Sequence, residues 1–142
     1  MNRVIFFAVP ILAASMGCNS HKGPWEDRDV FPVEGQLLIK GKAAEGVQLT
    51  FHPTDPEQQS RPHGVTDAEG KFSMRTNRDD DGAPAGDYVV TLYWPRLSGK
   101  ELADEPRAPP DRLGRRFLDP KKSSLRATVA EGPTVLPTFE IK

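Results

Sequence analysis

Apolar and polar residues alternate with a period of two through most of this chain from position 31 onward. Successive side chains of a strand point to opposite faces, so this alternation is typical of strands with one buried face. The residues expected on buried faces are Val33, Leu37 and Ile39, then Val47, Leu49 and Phe51, then Phe72 and Met74, then Tyr88, Val90, Leu92 and Trp94, then Leu125, Ala127 and Val129, and finally Val135, Phe139 and Ile141. A further short strand is expected around 63–66. Helical spacing fits none of these segments as well.

Turn-forming residues separate the alternating segments. The chain has 14 Pro and 12 Gly, which interrupt helices and dominate tight connections. Asp67 and Gly70 stand where a turn needs a side-chain acceptor and a positive φ. Six or seven short strands with such spacing predict an all-β domain built as a two-sheet antiparallel sandwich. Residues 95–120 are the exception, a long polar connection with five prolines and no strand pattern, which indicates either disorder or a functional role.

The N-terminus has the pattern of a secretory signal. Arg3 is followed by a nonpolar run of 14 residues over 4–17 that ends in small residues. As a helix this run reaches only about 21 Å, shorter than the hydrocarbon core of a bilayer. We therefore expect an N-terminal signal helix over 1–17, a polar tether over 18–29 and one β domain over 30–142.

The only cysteine of the chain, Cys18, follows the nonpolar run directly. The sequence Ser15-Met16-Gly17-Cys18 resembles the lipobox of bacterial lipoproteins, except that Ser15 stands where Leu is usual. The hypothesis is that Cys18 carries thioether-linked and N-linked acyl chains, palmitate among them, which together exceed the two signals needed for stable anchoring. An ordinary signal peptide followed by a free thiol is one alternative, and a buried N-terminal helix of a cytosolic protein is another. Lipidation predicts an exported protein on the cell membrane or outer membrane, with its domain in the periplasm or at the cell surface.

Several stretches of the mature chain resemble a family of small secreted lipoproteins of planctomycete type, related to carboxypeptidase regulatory-like and transthyretin-like domains. The matching stretches are 31–35 (FPVEG) with 41–42 (GK), 46–53 (GVQLTFHP), 66–72 (TDAEGKF), 81–95 (DGAPAGDYVVTLYWP), 116–129 (RFLDPKKSSLRATV) and 136–137 (LP). The resemblance implies a seven-stranded antiparallel Ig-like sandwich of prealbumin type, attached to the cell envelope. It transfers no catalytic residues.

An acidic segment over 77–82 has part of the pattern of a calcium loop. Asn77, Asp79 and Asp81 occupy the first, third and fifth positions of an EF-hand-like loop, and Gly82 the sixth. The twelfth position, which should supply a bidentate carboxylate, is Tyr88. One hypothesis is therefore a calcium site for adhesion, and its alternative is a solvated acidic hairpin without metal.

The one basic cluster lies in and after the long connection. Its members are Arg107, Arg112, Arg115, Arg116, Lys121 and Lys122, with Phe117 and Leu118 among them. Clustered positive charge attracts an acidic envelope polymer or protein, so Arg112, Arg115 and Arg116 are candidate binding residues. The alternative is a solvated loop without a binding role, whose positive charge is partly neutralised by nearby carboxylates.

The remaining functional classes have less support in the sequence. A formal net charge of −1 with 27% charged residues gives no overall attraction to nucleic acid, which is not an expected partner. No G-x-S-x-G or comparable nucleophile arrangement is present, so a hydrolase with an unrecognised site is the third alternative. We expect a non-catalytic binding or structural module, without a cofactor, that meets the membrane through Cys18.

Overall fold

The computed structural model describes residues 28–96 and 108–142. The predicted signal helix, Cys18 and most of the tether lie outside the described residues, as does the 97–107 part of the long connection. The strands are β1 (Val30–Phe31), β2 (Val33–Ile39), β3 (Lys42–Ala43), β4 (Gln48–Pro53), β5 (His63–Val65), β6 (Lys71–Ser73), β7 (Ala83–Pro84), β8 (Gly86–Tyr93), β9 (Arg126–Val129), β10 (Thr134–Val135) and β11 (Phe139–Ile141). The prediction of an all-β chain is confirmed for the described residues, which contain no helix and pair mostly in antiparallel fashion. No helix there is suited to crossing a membrane.

Strand β2 is the centre of one sheet. It pairs antiparallel with β3 and β6 along one edge, and parallel with β10 and β11 along the other. The β2–β3 hairpin closes through Lys40 and Gly41, whose φ angles are 53° and 74°. Positive φ at both central residues is the type I′ geometry, which matches the twist of two-residue hairpins.

A second sheet has the order β5-β4-β8-β9 and is antiparallel throughout. Its strand β8 is the longest in the described chain and lies between two neighbours, as the sequence predicted. The two sheets are linked at one edge, because an isolated antiparallel bridge joins His63 to Arg75 just beyond β6.

Both sheets contribute to one hydrophobic core, as the period-two pattern requires. Phe51 of β4 and Tyr88 of β8 are fully buried, with ring centroids 5.4 Å apart. On the other sheet Phe72 of β6 stacks on Phe139 of β11 at 6.2 Å. Burial of such side chains contributes about 1.5–3 kcal/mol each to the free energy of unfolding. The buried positions of β2, β4, β6, β8 and β9 agree with the predicted faces.

The C-terminal segment differs from the predicted single antiparallel strand. It is split into β10 and β11 around Pro137, and both halves run parallel to β2. Val135, expected inside, is 80% exposed, while Leu136 is buried. Proline cannot donate a ladder hydrogen bond, so the strand is interrupted there and the alternation shifts by one residue. The short strands β1, β3 and β7 were also not predicted.

The registers define two opposite ends of the described chain. The first, here called the tether pole, holds the β1–β7 pair and the start of β2 at Val33, where β10 also begins. The second, here called the pocket pole, holds the β2 terminus at Ile39 beside Ile141 of β11, together with the end of β8 at Tyr93. Chain segments far apart in sequence therefore end side by side at each pole.

Candidate functional site

The predicted calcium residues lie in a loop whose best-placed carboxylate is already bonded. Asp81 accepts backbone N–H groups of Thr76, Asn77 and Arg78 at 2.6, 2.9 and 2.9 Å. Burial by itself raises the pKa of Asp81, but these three hydrogen bonds and the nearby Arg78 charge outweigh it, so the net shift is downward. The carboxylate therefore shapes the loop by bonding its backbone.

The other two predicted ligands do not gather around Asp81. Asp79 forms an exposed ion pair with Arg75 at 2.8 Å, and Asn77 contributes its backbone N–H to the Asp81 carboxylate. Across residues 28–96 and 108–142, no group of three His, Cys, Asp or Glu side chains is placed to hold a metal ion. The calcium hypothesis stays a prediction for a loop that must rearrange to bind.

The basic cluster is divided by the structure. Arg112 and Arg116 line a pocket of about 500 Å³ at the pocket pole, and Arg115 is not among its lining residues. Arg115 has a φ of 64° and donates its backbone N–H to Asp111 at 2.7 Å. The turn thus directs two of the three predicted arginines into one site.

Lysines from two other chain segments complete this site, which we call the basic pocket. Its cationic members are Lys40, Lys42, Arg112, Arg116 and Lys142, and its apolar and aromatic members include Ile39, Trp94, Leu113 and Ile141. A volume of this size is within the range of small-molecule and cofactor sites. Five cations beside an apolar surface suit a ligand that has acidic groups and a carbon framework.

Asp111 organises the loop that carries the arginines. Its carboxylate accepts the backbone N–H of Trp94 at 3.0 Å and of Leu113 at 3.1 Å, in addition to that of Arg115. The backbone N–H of Arg112 also bonds the Trp94 carbonyl at 2.8 Å. Because these bonds satisfy Asp111 locally, its carboxylate holds the loop against the end of β8.

Trp94 forms a fixed wall of the basic pocket. Its indole N–H donates to the Glu45 carbonyl at 3.0 Å, which sets the orientation of the ring. The Arg112 guanidinium lies 4.9 Å from the indole centroid, within cation–π range. The indole and the guanidinium therefore hold each other in position at the edge of the pocket.

The cations of the basic pocket are not used in ion pairs with the described carboxylates. The ion pairs in that part of the chain are Arg28 with Asp55 and Arg75 with Asp79, both outside the basic pocket. Concentrated charge of one sign in a concave surface raises the local concentration of an oppositely charged ligand. Among the residues that the structure describes, the lining of the basic pocket is thus positively charged, although the whole chain is nearly neutral.

A larger pocket, of about 840 Å³, lies on the outer face of β2, β5 and β6. Two exposed hydrophobic residues, Val65 and Val135, line it together with carboxylates and the cations Lys71 and Arg75. Its lining holds four carboxylates and two cations, of which Asp79 and Arg75 already pair with each other, and it includes none of the predicted basic residues. We therefore take the basic pocket as the candidate functional site.

The two described histidines are engaged separately. His52 lies 2.8 Å from the Thr91 hydroxyl, while Nε2 of His63 accepts the Arg75 Nε–H at 2.9 Å. Burial, and secondarily the charge of Arg61, lower the pKa of His52. The neutral form of His52 is therefore the one that the fold favours.

Sequence reasoning missed Lys40, Lys42, Trp94 and Lys142 as site residues. The sequence did contain one relevant signal, because two lysines flank the glycine of a tight turn. Side chains in such a hairpin turn are exposed to solvent. Nothing in the local pattern indicates that this turn lies beside Arg112.

Comparison with known proteins leaves the family open, because no protein-family model and no curated protein matches this chain.

Proposed function

We propose that this protein is a non-catalytic lipoprotein of the cell envelope that binds an anionic envelope component through the basic pocket. In this proposal Cys18 carries the lipid, residues 18–29 form the tether, and the β domain lies in the periplasm or at the cell surface. The single observation that carries the binding role is that five lysine and arginine residues from three separate chain segments line one pocket.

The anchoring part of the proposal is supported by the N-terminal sequence. A short nonpolar run, small residues and Cys18 follow one another as lipid-modified leaders require. The first described residues join the β domain at the tether pole, where Val30 and Phe31 pair with Pro84 and Ala83. A tether that starts at one end of the domain leaves the basic pocket accessible at the other end.

The finer fold assignment, a seven-stranded prealbumin-like sandwich, is part of the same proposal. It is supported by counting β10 and β11 as one interrupted strand and setting aside the two-residue strands β1, β3 and β7. The strands that remain are β2, β4, β5, β6, β8, β9 and the β10–β11 segment. Rigid β scaffolds that present binding residues on loops are a common arrangement in envelope and extracellular proteins.

Photo-crosslinking in cells tests the binding role. A benzophenone amino acid at Lys42, on the rim of the basic pocket, is expected to capture one specific envelope protein or polymer. The matched control places the same group at Glu57, an exposed residue that follows β4 at the tether pole. A Cys18→Ala variant, which is expected to be mislocalised, should lose the product.

Equal capture from Lys42 and Glu57 contradicts a role for the basic pocket. Capture from Lys42 that persists in Cys18→Ala keeps the binding role and contradicts the need for anchoring. The two parts of the proposal are therefore separable in one experiment.

A further inference from the structure

The basic pocket lies at one end of strand β2, and the tether joins the domain near the other end. Val33 begins β2 beside the β1–β7 pair, and Ile39 ends it at the basic pocket. Seven residues of strand span about 20 Å at the usual rise of 3.3 Å per residue. Strand β11 runs parallel to β2 and brings Ile141 and Lys142 to the same far end.

The basic pocket lies one strand length, about 20 Å, from the point where the tether joins the domain. That distance exceeds two Debye lengths, each about 8 Å in physiological salt. The basic pocket is therefore well separated from the attachment point, and a ligand other than the headgroups of the anchoring membrane can reach it.

The surface of the basic pocket combines two kinds of chemistry. Lysines and arginines line it, and guanidinium groups pair with carboxylates or phosphates in a planar, two-bond geometry. Ile39, Leu113 and Ile141 add an apolar surface, and the indole of Trp94 stands beside them. A ligand that repeats acidic groups along a chain of rings with exposed C–H faces matches both kinds of surface.

An extended acidic peptide matches the basic pocket less well. Peptides that add to a sheet need a row of unpaired backbone groups along an exposed strand. The described edge strands that border the basic pocket are β3, with two residues, and β11, with three. The pocket is thus made mainly by side chains, which suit a ligand recognised through its charges and ring faces.

We infer that the ligand of the basic pocket is an acidic polysaccharide, a carboxylated or otherwise anionic glycan of the cell envelope. This inference rests on the proposed function and names its ligand class. The lysines and arginines bind the acidic groups, while Trp94 and the apolar residues contact the sugar carbons.

Calorimetric titration of the full chain, purified from membranes in neutral detergent, tests the inference. The probe is an oligogalacturonate, and the comparison ligands are a neutral oligosaccharide of equal length, polyglutamate, single-stranded DNA and vesicles of phosphatidylglycerol. We expect binding of the oligogalacturonate and none of the neutral sugar. Raising NaCl to about 0.5 M should weaken the binding, since screening at that concentration is strong within a few ångströms.

Two double variants that each lose two positive charges test whether the ligand binds in the basic pocket. The double variant Arg112→Gln/Arg116→Gln is expected to weaken oligogalacturonate binding by about tenfold or more, as loss of charge-assisted hydrogen bonds predicts. The matched control Lys121→Gln/Lys122→Gln removes the same charge from the same region outside the basic pocket, and should bind normally. If the arginine variant fails to fold, Lys40→Gln/Lys42→Gln tests the opposite wall.

Equal losses in both double variants overturn the inference, because they indicate general attraction to positive charge. Tighter binding of polyglutamate, DNA or anionic vesicles at Arg112 and Arg116 also overturns it, yet leaves the proposed anion-binding function in place. Absence of binding by every anion contradicts both the inference and the proposed function.

Discussion

At the scale of single residues, the hydrogen-bond partners of each charged side chain separate structural roles from binding roles. Asp81 and Asp111 each accept three backbone N–H groups, so both carboxylates stabilise loops. Arg112 and Arg116 instead place their guanidinium groups at a concave surface near aromatic rings. Residue type alone does not distinguish these two roles.

His52 is expected to make stability depend on pH. Its pKa in the folded chain is lowered, so below its ordinary value of about 6.5 the unfolded chain binds a proton that the folded chain resists. Stability contributed by neutral His52 is therefore present at pH 7 and above, and is lost as the pH falls through 6.5 toward the folded pKa. Urea unfolding of wild type and His52→Gln at a series of pH values measures this. If the free energy of unfolding loses its pH dependence in His63→Gln and keeps it in His52→Gln, the assignment to His52 is contradicted.

Gly82→Ala is expected to destabilise the tether pole. A Cβ at this position would overlap the carbonyl oxygen of Phe31, and the φ of Gly82 is +96°. The added methyl group should push β1 away from β7 and strain the backbone. Together these effects should lower the free energy of unfolding by about 3 kcal/mol.

The matched control for Gly82→Ala is Gly41→Ala. Gly41 also has a positive φ, but a Cβ added there would have no atom within 4 Å. Its cost should be limited to about 1 kcal/mol of backbone strain. Equal unfolding free energies for the two variants in urea would show that the contact with Phe31 is unimportant.

At the scale of elements, short turns contribute most of the cations of the candidate site. The Lys40–Gly41 hairpin turn and the Asp111 turn each present cations next to the end of β8. The strands fix where these turns lie, and the turns fix which side chains face the pocket. Changes in the turns should therefore affect binding more than overall stability.

Asp111→Ala tests this view of the turn. It removes three acceptor contacts, so the amides of Trp94, Leu113 and Arg115 should exchange with solvent faster. Anion binding should weaken by about tenfold, since Arg112 loses its fixed position. The control Asp119→Ala removes a comparable loop contact, to the N–H of Lys121, outside the basic pocket. Unchanged amide exchange and unchanged anion binding in Asp111→Ala would show that the turn keeps its conformation without the Asp111 carboxylate.

The 76–82 loop gives a test of the calcium alternative. Because three N–H groups already bond Asp81, calcium is expected to leave the thermal midpoint of the wild type unchanged. Asp81→Asn should lower stability equally with and without calcium. The pKa of Asp81 is depressed, so its contribution is present above pH 3.8 and is lost as the pH falls through the folded pKa. A thermal midpoint that rises with calcium in the wild type, and not in Asp81→Asn, would support the hypothesis of a calcium-dependent adhesion module.

At the scale of the whole molecule, the point where the tether joins the domain and the candidate binding site lie at different poles. The first is beside the β1–β7 pair, and the basic pocket is about one strand length away. The proposed anchoring and the proposed binding therefore use separate parts of the domain and can be tested by separate substitutions.

Cys18→Ala tests the attachment. The variant should move from the membrane fraction to the soluble fraction and should not incorporate an alkyne analogue of palmitate. Ser15→Leu, which restores the usual lipobox residue, should instead speed processing of the precursor. Membrane retention of Cys18→Ala would show that another segment provides the anchor.

The sequence by itself determined the β character of the domain and most of its buried faces. Alternation of apolar residues is a local property, and it places Leu49, Phe51 and Val90 inward whatever their neighbours are. It did not reveal the exposure of Val135, because the side of the strand that faces the core before Pro137 is set by the parallel pairing with β2, which is a contact between distant segments.

Only the tertiary structure decided the composition of the candidate site. Arg112 and Arg116 were visible as a basic segment, whereas Lys40, Lys42 and Lys142 join them through the registers of β3 and β11 with β2. The turn held by Asp111, with its positive φ at Arg115, leaves Arg115 outside the pocket lining, and backbone hydrogen bonds make Asp81 a loop constraint. Short-range patterns specify which face of a strand is apolar, but strand pairing over long sequence separations decides which charges meet.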